Sequence, residues 1–578
     1  MRSLSGLPLS SWLLLAAPWS SVAVPYSHQW ASDGQTVIKP ESSRKGAVAS
    51  ESKVCSQIGI DLLARGGNAV DAFIGTQLCV GVIGMYHSGL GGGGFALIRD
   101  ENGVYSVIDY RESAPAAAFE DMYAGNVLAS IFGGLAAGVP SELRGLEYAH
   151  TKFGALPWKA VVEPAALVAR DGFVVTEDTV RYMNNGIQSV GWNFLAEDPS
   201  WAQDFAPNGY LVKEGETMYR KRYAETLQTV AEKGADAFYM GAIANATIDT
   251  IQSNYGTMTL EDLTSYKVIT RDAVNISYRG FNLYASGAPT GGAVGLNMLK
   301  TMEAYDTADT ADTNLTLHRF DEAMRFAYGA RQSLGDPDFL EGIDELEKKM
   351  LDATQAAWIR AHILDNATQP VENYDAKRVY APDNHGTSHI VTADASGMAV
   401  SSTTTVNLLF GNLLMVPSTG VILNNEMNDF SIPGVRNEFG FEPSPSNFIR
   451  PGKRPLSSVT PFIIEDAATG RLHAVLGAAG GSRIISSTTQ VAWRLIEQGA
   501  PLADAIREPR FHDQLMPNTA MFEYTFDNDT VASMAAKGHY VTWVREGLSA
   551  VQGIHVQPDG SFEAASESRQ KSSGGLVL

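Results

Sequence analysis

The tightest constraint on this chain is a pair of strands that starts directly after Gly386-Thr387 and folds back on itself. His389, Val391 and Ala393 alternate with Ser388, Ile390 and Thr392, Asp394-Ala395-Ser396-Gly397 makes a turn, and Ala399 to Val406 returns as the second strand. Such a hairpin carries Thr403, Thr404, Thr405 and Asn407 back towards its own first residue. β-Branched threonines suit strands on packing grounds alone, so the hydroxyls by themselves assign no chemistry. Thr387 differs because of what precedes it. The stretch between Asn366 and His385 holds Gln369, Pro370, Asn373, Asp375, Pro382, Asp383 and Asn384, an exposed approach to a cleavage point. Scission of the Gly386–Thr387 bond would give Thr387 a free α-amine with a pKa of roughly 7.7–8.0, a base beside its own weakly nucleophilic hydroxyl. Gly-Thr is a common pair, and a loop running into a strand accounts for it equally well.

Composition narrows the setting. The 578 residues are 44% hydrophobic and 19% charged, enough for a large packed core and more than one structural unit. A formal net charge of -21 argues against nucleic acid or an acidic membrane surface as partner. Residues 1–23 read as a secretory signal: Arg2 opens it, Trp12-Leu13-Leu14-Leu15-Ala16-Ala17 forms an apolar run, and Ser21-Val22-Ala23 closes it with small residues. The run is too short to span a bilayer, and an uncleaved amphipathic anchor is the alternative. Sequons at Asn245, Asn275, Asn314, Asn366 and Asn528 fit an exported chain, whether secreted or held in a wall or vacuole. The two cysteines, Cys55 and Cys79, are either bridged or buried free in apolar helices; a bridge around a loop of this size would contribute about 3 kcal/mol.

Along the chain, helical spacing of Val54, Ile58, Leu62 and Leu63 predicts a helix that begins near Ala47 and ends at Gly66-Gly67. Asn68 then starts a second helix, running to about Gly84. The segment His87-Ser88-Gly89-Leu90-Gly91-Gly92-Gly93-Gly94-Phe95 formally contains G-x-G-x-x-G. A dinucleotide site needs a strand before that motif and a helix after it, whereas here a helix precedes and Phe95 to Ile98 reads as a strand. The glycines are therefore expected to let another backbone segment come close. The strand Val104–Tyr110 delivers Arg111-Glu112-Ser113-Ala114-Pro115, where an arginine suits either a carboxylate clamp or a surface ion pair. Residues 140–350 read as mostly helical, with runs at Ser141–Phe153, Trp158–Ala169, Arg222–Lys233 and Leu317–Ser333, followed by Leu346–Arg360. Pro455-Leu456-Ser457-Ser458 sets two hydroxyls after a proline. Finally His473–Leu476 reads as a strand running through Gly480-Gly481 into a helix over Ser486–Gln498. Bare N–H groups at such a junction can stabilise an oxyanion, although close strand–helix packing also favours glycine. There is no H-E-x-x-H, no closely spaced Cys/His cluster and no G-x-S-x-G elbow, so neither metal nor cofactor is expected.

Taken together these segments resemble the γ-glutamyltransferase (γ-glutamyltranspeptidase) family of N-terminal-nucleophile hydrolases. The resemblance is carried by Thr387-Ser388-His389, by Thr403–Asn407 with Phe410-Gly411, by Asn424–Ser431, by Arg454–Ser458 and by Gly480–Arg483. In the first half it shows at His87–Phe95, Asp109–Glu112 and Gly138-Val139-Pro140. Val391 and Met398 depart from the family pattern, which has a hydroxyl residue and a small polar residue there. The resemblance implies a four-layer αββα sandwich built jointly by a large subunit, 24–386, and a small subunit, 387–578 (192 residues), after autocleavage. Carried over residue by residue, Thr387 is the nucleophile, with Thr405 hydrogen-bonded to it. Arg111, Ser457 and Ser458 would hold the donor's α-carboxylate, and Asn407, Glu426 and Asp429 its α-ammonium. Gly480 and Gly481 would form the oxyanion hole. The implied reaction moves the γ-glutamyl group of glutathione or related compounds to amino acids, peptides or water through an ester on Thr387, without a cofactor. Residues 432–450, including Phe439, correspond to a lid over the donor pocket. Two rivals stand beside this reading. A related amidase or β-lactam acylase is disfavoured by Arg111, Asn407, Glu426 and Asp429, and an inactive secreted homologue by Thr387, Thr405 and the glycine pair.

Overall fold

A computed structural model of the protein describes residues 45–306, 312–375, 377, 379–380, 386–436 and 442–578. The expected signal and leader (1–44), Asn384-His385 before the junction and Phe439 of the expected lid lie outside the described residues.

The first element departs from the helical expectation. Gly46–Ser50 is a strand, and the helix occupies only Lys53–Ala64. All five strand residues are buried, and their small side chains let the strand lie between Ser388–Asp394 on one side and Gly574–Val577 on the other. Ser52 accepts a hydrogen bond from the Cys55 amide and so sets where the helix begins. The next helix, Ala69–Ile83, has the expected limits because Asn68 and Asp71 form a capping box. A Cys55–Cys79 disulfide, Cα atoms 5.3 Å apart, ties the two helices. The run expected over Leu346–Arg360 is two helices, Ile343–Leu351 and Ala353–His362, because Asp352 leaves the helix and caps the second through the Thr354 amide.

Two antiparallel sheets form the centre. One has seven strands in the order Gly574–Val577, Gly46–Ser50, Ser388–Asp394, Ala399–Thr405, Gly93–Arg99, Tyr105–Tyr110, Ile269–Arg271. The other has six, in the order Phe562–Ala565, Ala550–Val556, Leu472–Ala479, Phe462–Asp466, Phe281–Ser286, Ala273–Tyr278. The strands between 269 and 286 fall in a gap between the expected helical runs; Asn275 and Ser277 are exposed while Ile276 and Tyr278 are buried, the alternation of an edge strand. Ala47, Leu97, Val107 and Val391 of the first sheet meet Ile463, Val475 and Ile554 of the second in an apolar layer. On its other face the first sheet packs Ile98, Ile108, Ile390 and Val400 against Val70, Phe73 and Leu146. The second sheet packs Leu283, Phe462 and Leu476 against Val294 of the helix Gly292–Glu303 and Ile485 of the helix Arg483–Glu497. The layers therefore run helix, sheet, sheet, helix. Both departures from the family pattern are core positions: Val391 lies between the sheets and Met398 in the outer helical core.

Backbone proximity explains the glycine-rich run. A Cβ on Gly91, Gly92 or Gly94 would stand 2.0, 2.0 and 2.1 Å from the carbonyl oxygens of Ile422, Thr405 and Thr403. The run is where the returning hairpin strand lies against its neighbour, which disposes of the nucleotide reading. A second close approach lies between the sheets. His389 bonds the hydroxyls of Thr403 (2.9 Å) and Ser401 (3.1 Å), and burial pushes its pKa down to about 3, so the ring is neutral. A Cβ on Gly477 would stand 2.1 Å from that ring. Among the described residues no helix is long and apolar enough to cross a membrane. Asn245, Asn275, Asn366 and Asn528 are exposed, and the half-buried Asn314 accepts from the Thr530 hydroxyl.

Candidate active site

Hairpin register builds the junction. Ser388 pairs with Thr404, so Thr405 falls opposite Thr387. In the uncut chain the Gly386 carbonyl oxygen accepts from the Thr387 hydroxyl at 2.5 Å and from the Thr405 hydroxyl at 2.6 Å. Thr405 Oγ1 itself accepts from the Asn407 amide at 2.7 Å, which leaves its proton for Gly386. Asn407 has φ 73°, a left-handed conformation that asparagine tolerates, and its side chain donates to the Asn425 carbonyl at 2.9 Å. Gly386 has no room for a side chain, since a Cβ would stand 2.4 Å from the Asn407 carbonyl oxygen. Beneath the junction Ser388 donates to Glu51 at 2.7 Å, and the other Glu51 oxygen meets His87 at 3.0 Å.

The chain from Asn407 through Asn425 leads to a buried ion cluster. Glu426 and Asp429 each pair with one arm of the Arg111 guanidinium. Burial works against the charge of Arg111, but Glu426 and Asp429 outweigh it and hold its pKa above the usual value. Burial raises the pKa of Glu426 and of Asp429, with Arg111 opposing in both. A third carboxyl, Glu112, is buried beside them; burial lifts it to about 8 against the pull of Arg111. Three carboxyls thus surround the Arg111 guanidinium, with the charge of Arg331 also acting on Asp429, an arrangement that favours a retained proton. Glu112 was not singled out as a site residue from sequence, although it adjoins Arg111. Asn447 was missed as well: its amide donates to the Asp429 carbonyl at 2.7 Å, and its oxygen accepts from the Leu456 amide at 2.9 Å. That side chain braces the acidic turn against the serine pair.

Of the two serines, Ser457 caps its own turn, accepting from the Val459 amide at 3.2 Å, while Ser458 accepts from Arg331 at 2.9 Å. The Pro455 carbonyl before them accepts from Arg111 Nε at 3.4 Å, so the serine segment adjoins the ion cluster. Gly480 and Gly481 turn the chain from strand to helix with φ 129° and 62°. Gly480 and Thr387 line one cavity of 480 Å³, shared with His87, Tyr182, Asn185 and Arg483. Arg111, Glu426 and Asp429 do not line it. The expected direct bond between Thr405 and Thr387 is replaced by a shared acceptor, the Gly386 carbonyl, with Asn407 bonded to Thr405; a cavity joins Thr387 and Gly480, and ion pairs join Arg111, Glu426 and Asp429. Of the expected lid, Ile432 and Ile449 are buried with Met427 and Phe430, packing its two described ends on the acidic turn.

A four-layer αββα sandwich with a threonine at the head of a central strand defines the N-terminal-nucleophile hydrolase class. The solved structure of a cephalosporin acylase from Bacillus halodurans shares this fold, with a TM-score of 0.80 over 95% of this chain and 99% of that one at 23% identity. The family model for gamma-glutamyltranspeptidase matches residues 55–577, and the chain belongs to that family. A glutathione hydrolase proenzyme of Arthroderma benhamiae is 48% identical over 97% of this chain and 96% of its own length. The crystal structure of Helicobacter pylori gamma-glutamyltranspeptidase is 30% identical with a TM-score of 0.52, covering 55% of this chain and 92% of that one.

Proposed function

We propose that the protein is a γ-glutamyltransferase with glutathione hydrolase activity, made as a precursor and activated by cutting itself at Gly386–Thr387. One observation supports this above the others: the Gly386 carbonyl is held between the hydroxyls of Thr387 and Thr405. In the first reaction Thr387 Oγ1 attacks the Gly386 carbonyl carbon while the Thr405 hydroxyl bonds the oxygen as charge develops on it. The Gly386–Thr387 C–N bond breaks, the proton from the hydroxyl passes to the departing nitrogen, and an ester joins Gly386 to Thr387 Oγ1. Water hydrolyses that ester, leaving a carboxylate on Gly386 and a free amine on Thr387. The products are a large subunit ending at Gly386 and a small one of residues 387–578.

In the second reaction the same hydroxyl attacks the γ-carbonyl of the donor, its proton going to the α-amine of Thr387. Gly480 and Gly481 supply backbone donors to the oxyanion, and the amide nitrogen leaves protonated. Water or the amine of an amino acid or peptide then takes the γ-glutamyl group. A γ-linked glutamate keeps both its α-ammonium and its α-carboxylate, and the cluster suits that end. Arg111 with Ser457 and Ser458 matches the carboxylate; Glu426, Asp429 and Asn407 match the ammonium. The 48% identity to a glutathione hydrolase proenzyme favours this over the acylase reading, because the acylase likeness extends to the fold alone. Residues 432–436 and 442–450 cover the donor, and export is the expected fate of the chain.

N-terminal sequencing of purified active protein, paired with turnover of a chromogenic γ-glutamyl anilide, tests the reading. A fragment beginning Thr-Ser-His-Ile-Val is expected, and Thr387→Ala should remain one inactive chain. Active enzyme without that fragment overturns it.

A further inference from the structure

A second cluster lies away from the junction, at the other end of a helix that reaches towards it. His318 and Glu322 are one turn apart on the helix Thr313–Arg331, and His539 follows the helix Asn528–Ala536. All three are buried, with His318 and Glu322 at 0% exposure and His539 at 5%. His318 Nδ1 and His539 Nε2 face each other at 2.8 Å. Glu322 Oε1 stands 3.9 Å from His539 Nε2 and makes no hydrogen bond.

The surroundings settle which lone pairs are bare. His318 Nε2 lies 2.8 Å from the Leu364 carbonyl, which can only accept, so the proton of a neutral ring is there and Nδ1 is unprotonated. His539 Nδ1 lies 2.9 Å from Asp321 Oδ2, an ion-pair contact without hydrogen-bond geometry. The second Glu322 oxygen accepts from the Tyr374 hydroxyl at 2.6 Å. His318 and Glu322 are thus each backed by an outward hydrogen-bond partner, and His539 faces the Asp321 carboxylate, an arrangement like that around metal-binding imidazoles and carboxylates. Two imidazole lone pairs can share this space only with a proton or a cation between them. Further out, Arg325 pairs with Asp513 at 2.7 Å, and Asp321 lies against His539.

We propose that His318 Nδ1, His539 Nε2 and Glu322 Oε1 bind a divalent transition-metal ion, with Zn²⁺ the ion best matched to two imidazoles and a carboxylate. Binding displaces the single proton held between the imidazoles to solvent. Tetrahedral Zn–N bonds of about 2.0–2.1 Å open the two nitrogens to roughly 3.3 Å, a movement of about half an ångström. Leu364, whose carbonyl backs His318, is 46% exposed, so the cluster lies close beneath the surface. Burial makes the ion a brace rather than a reagent. Further along the same helix, the Tyr328 hydroxyl donates to the Ser482 carbonyl at 2.6 Å, and Arg331 holds Ser458. An ion at His318 thereby anchors the helix that supports the glycine pair and the serine pair. A scan for closely spaced Cys/His ligands passes over this site because His318 and His539 are separated by 221 residues.

The test uses the full chain, stripped with chelator and titrated with Zn²⁺ alone against a chelating indicator. Thermal unfolding, and the visible spectrum after Co²⁺ loading, are read in parallel. One ion per chain, a Tm rise that saturates at one equivalent, and four-coordinate Co²⁺ absorption are expected. His539→Gln should abolish binding. Glu322→Gln and Tyr374→Phe, which preserve shape if the histidine variant fails to fold, should each weaken binding by about 10-fold or more. No binding in the wild type, or equal affinity in wild type and Glu322→Gln, overturns the proposal and leaves a proton-sharing histidine pair.

Discussion

Replacing Gly386 with alanine should separate the self-cutting reaction from the one that follows it. A Cβ there would stand 2.4 Å from the Asn407 carbonyl oxygen, where real contacts do not fall below 3.0 Å, so at least 0.6 Å of movement is forced. Asn407 is held by its bond to Asn425 and by its amide on Thr405, so the displacement falls on the Gly386 carbonyl. Moving that oxygen by 0.6 Å stretches the 2.6 Å bond from Thr405 to about 3.2 Å, the outer edge of a useful hydrogen bond. Losing one oxyanion donor typically costs about 10²–10³ in rate, so scission should slow by about 100-fold. A denaturing gel followed over time after synthesis reads this directly as appearance of the 192-residue fragment, residues 387–578. If the bond is cut as proposed, residue 386 becomes a chain end that the proposed turnover does not use. The processed fraction should therefore match wild type in kcat/KM for a γ-glutamyl anilide. Scission at the wild-type rate, or processed enzyme with impaired turnover, would refute the reasoning.

Three further outcomes follow from the geometry. Gly477→Ala drives a methyl into the neutral His389 ring, 2.1 Å away, and should cost about 1–3 kcal/mol in urea unfolding, partly recovered by adding His389→Ala; an unchanged midpoint would contradict the packing. Burial raises Glu142 from 4.5 to about 8, with the Thr404 hydroxyl opposing, so the folded chain binds this proton more tightly than the unfolded one. Its contribution is whole below pH 4.5 and is lost as pH rises through 8, so Glu142→Gln should reduce the fall in stability between pH 5.5 and 8.5 by a few kcal/mol; parallel profiles for variant and wild type would count against it. Asn447→Ala removes the bonds to the Asp429 carbonyl and the Leu456 amide; it should raise KM for γ-glutamyl donors about 10-fold, while the extent of processing measured on the same sample stays at wild type.

Local chemistry made much of this legible in advance. Asn68 with Asp71 sets the start of a helix wherever the chain goes, and the alternation after Thr387 determines that Thr405 returns opposite it. The glycines at 91–94 announced a close approach, although not which carbonyls would approach. What stayed hidden depends on distant partners. Gly46–Ser50 shows no alternation, because its small residues are buried on both faces by segments far along the chain. Arg111 meets Asp429 across 318 residues, so the clamp and its acids could be grouped only through the resemblance. Asn447 sits in a turn-rich stretch whose composition says nothing of a strut, and Glu51 lies beside a strand read as helix.

The seating of Gly46–Ser50 between Ser388–Asp394 and Gly574–Val577 bears on what remains after the cut. If the Gly386–Thr387 bond is cut as proposed, the larger piece keeps one strand seated between two strands of the smaller, so neither could leave without breaking its companion's backbone bonding. Separation and melting then become a single event, and the severed enzyme should resist dilution as well as an unbroken one.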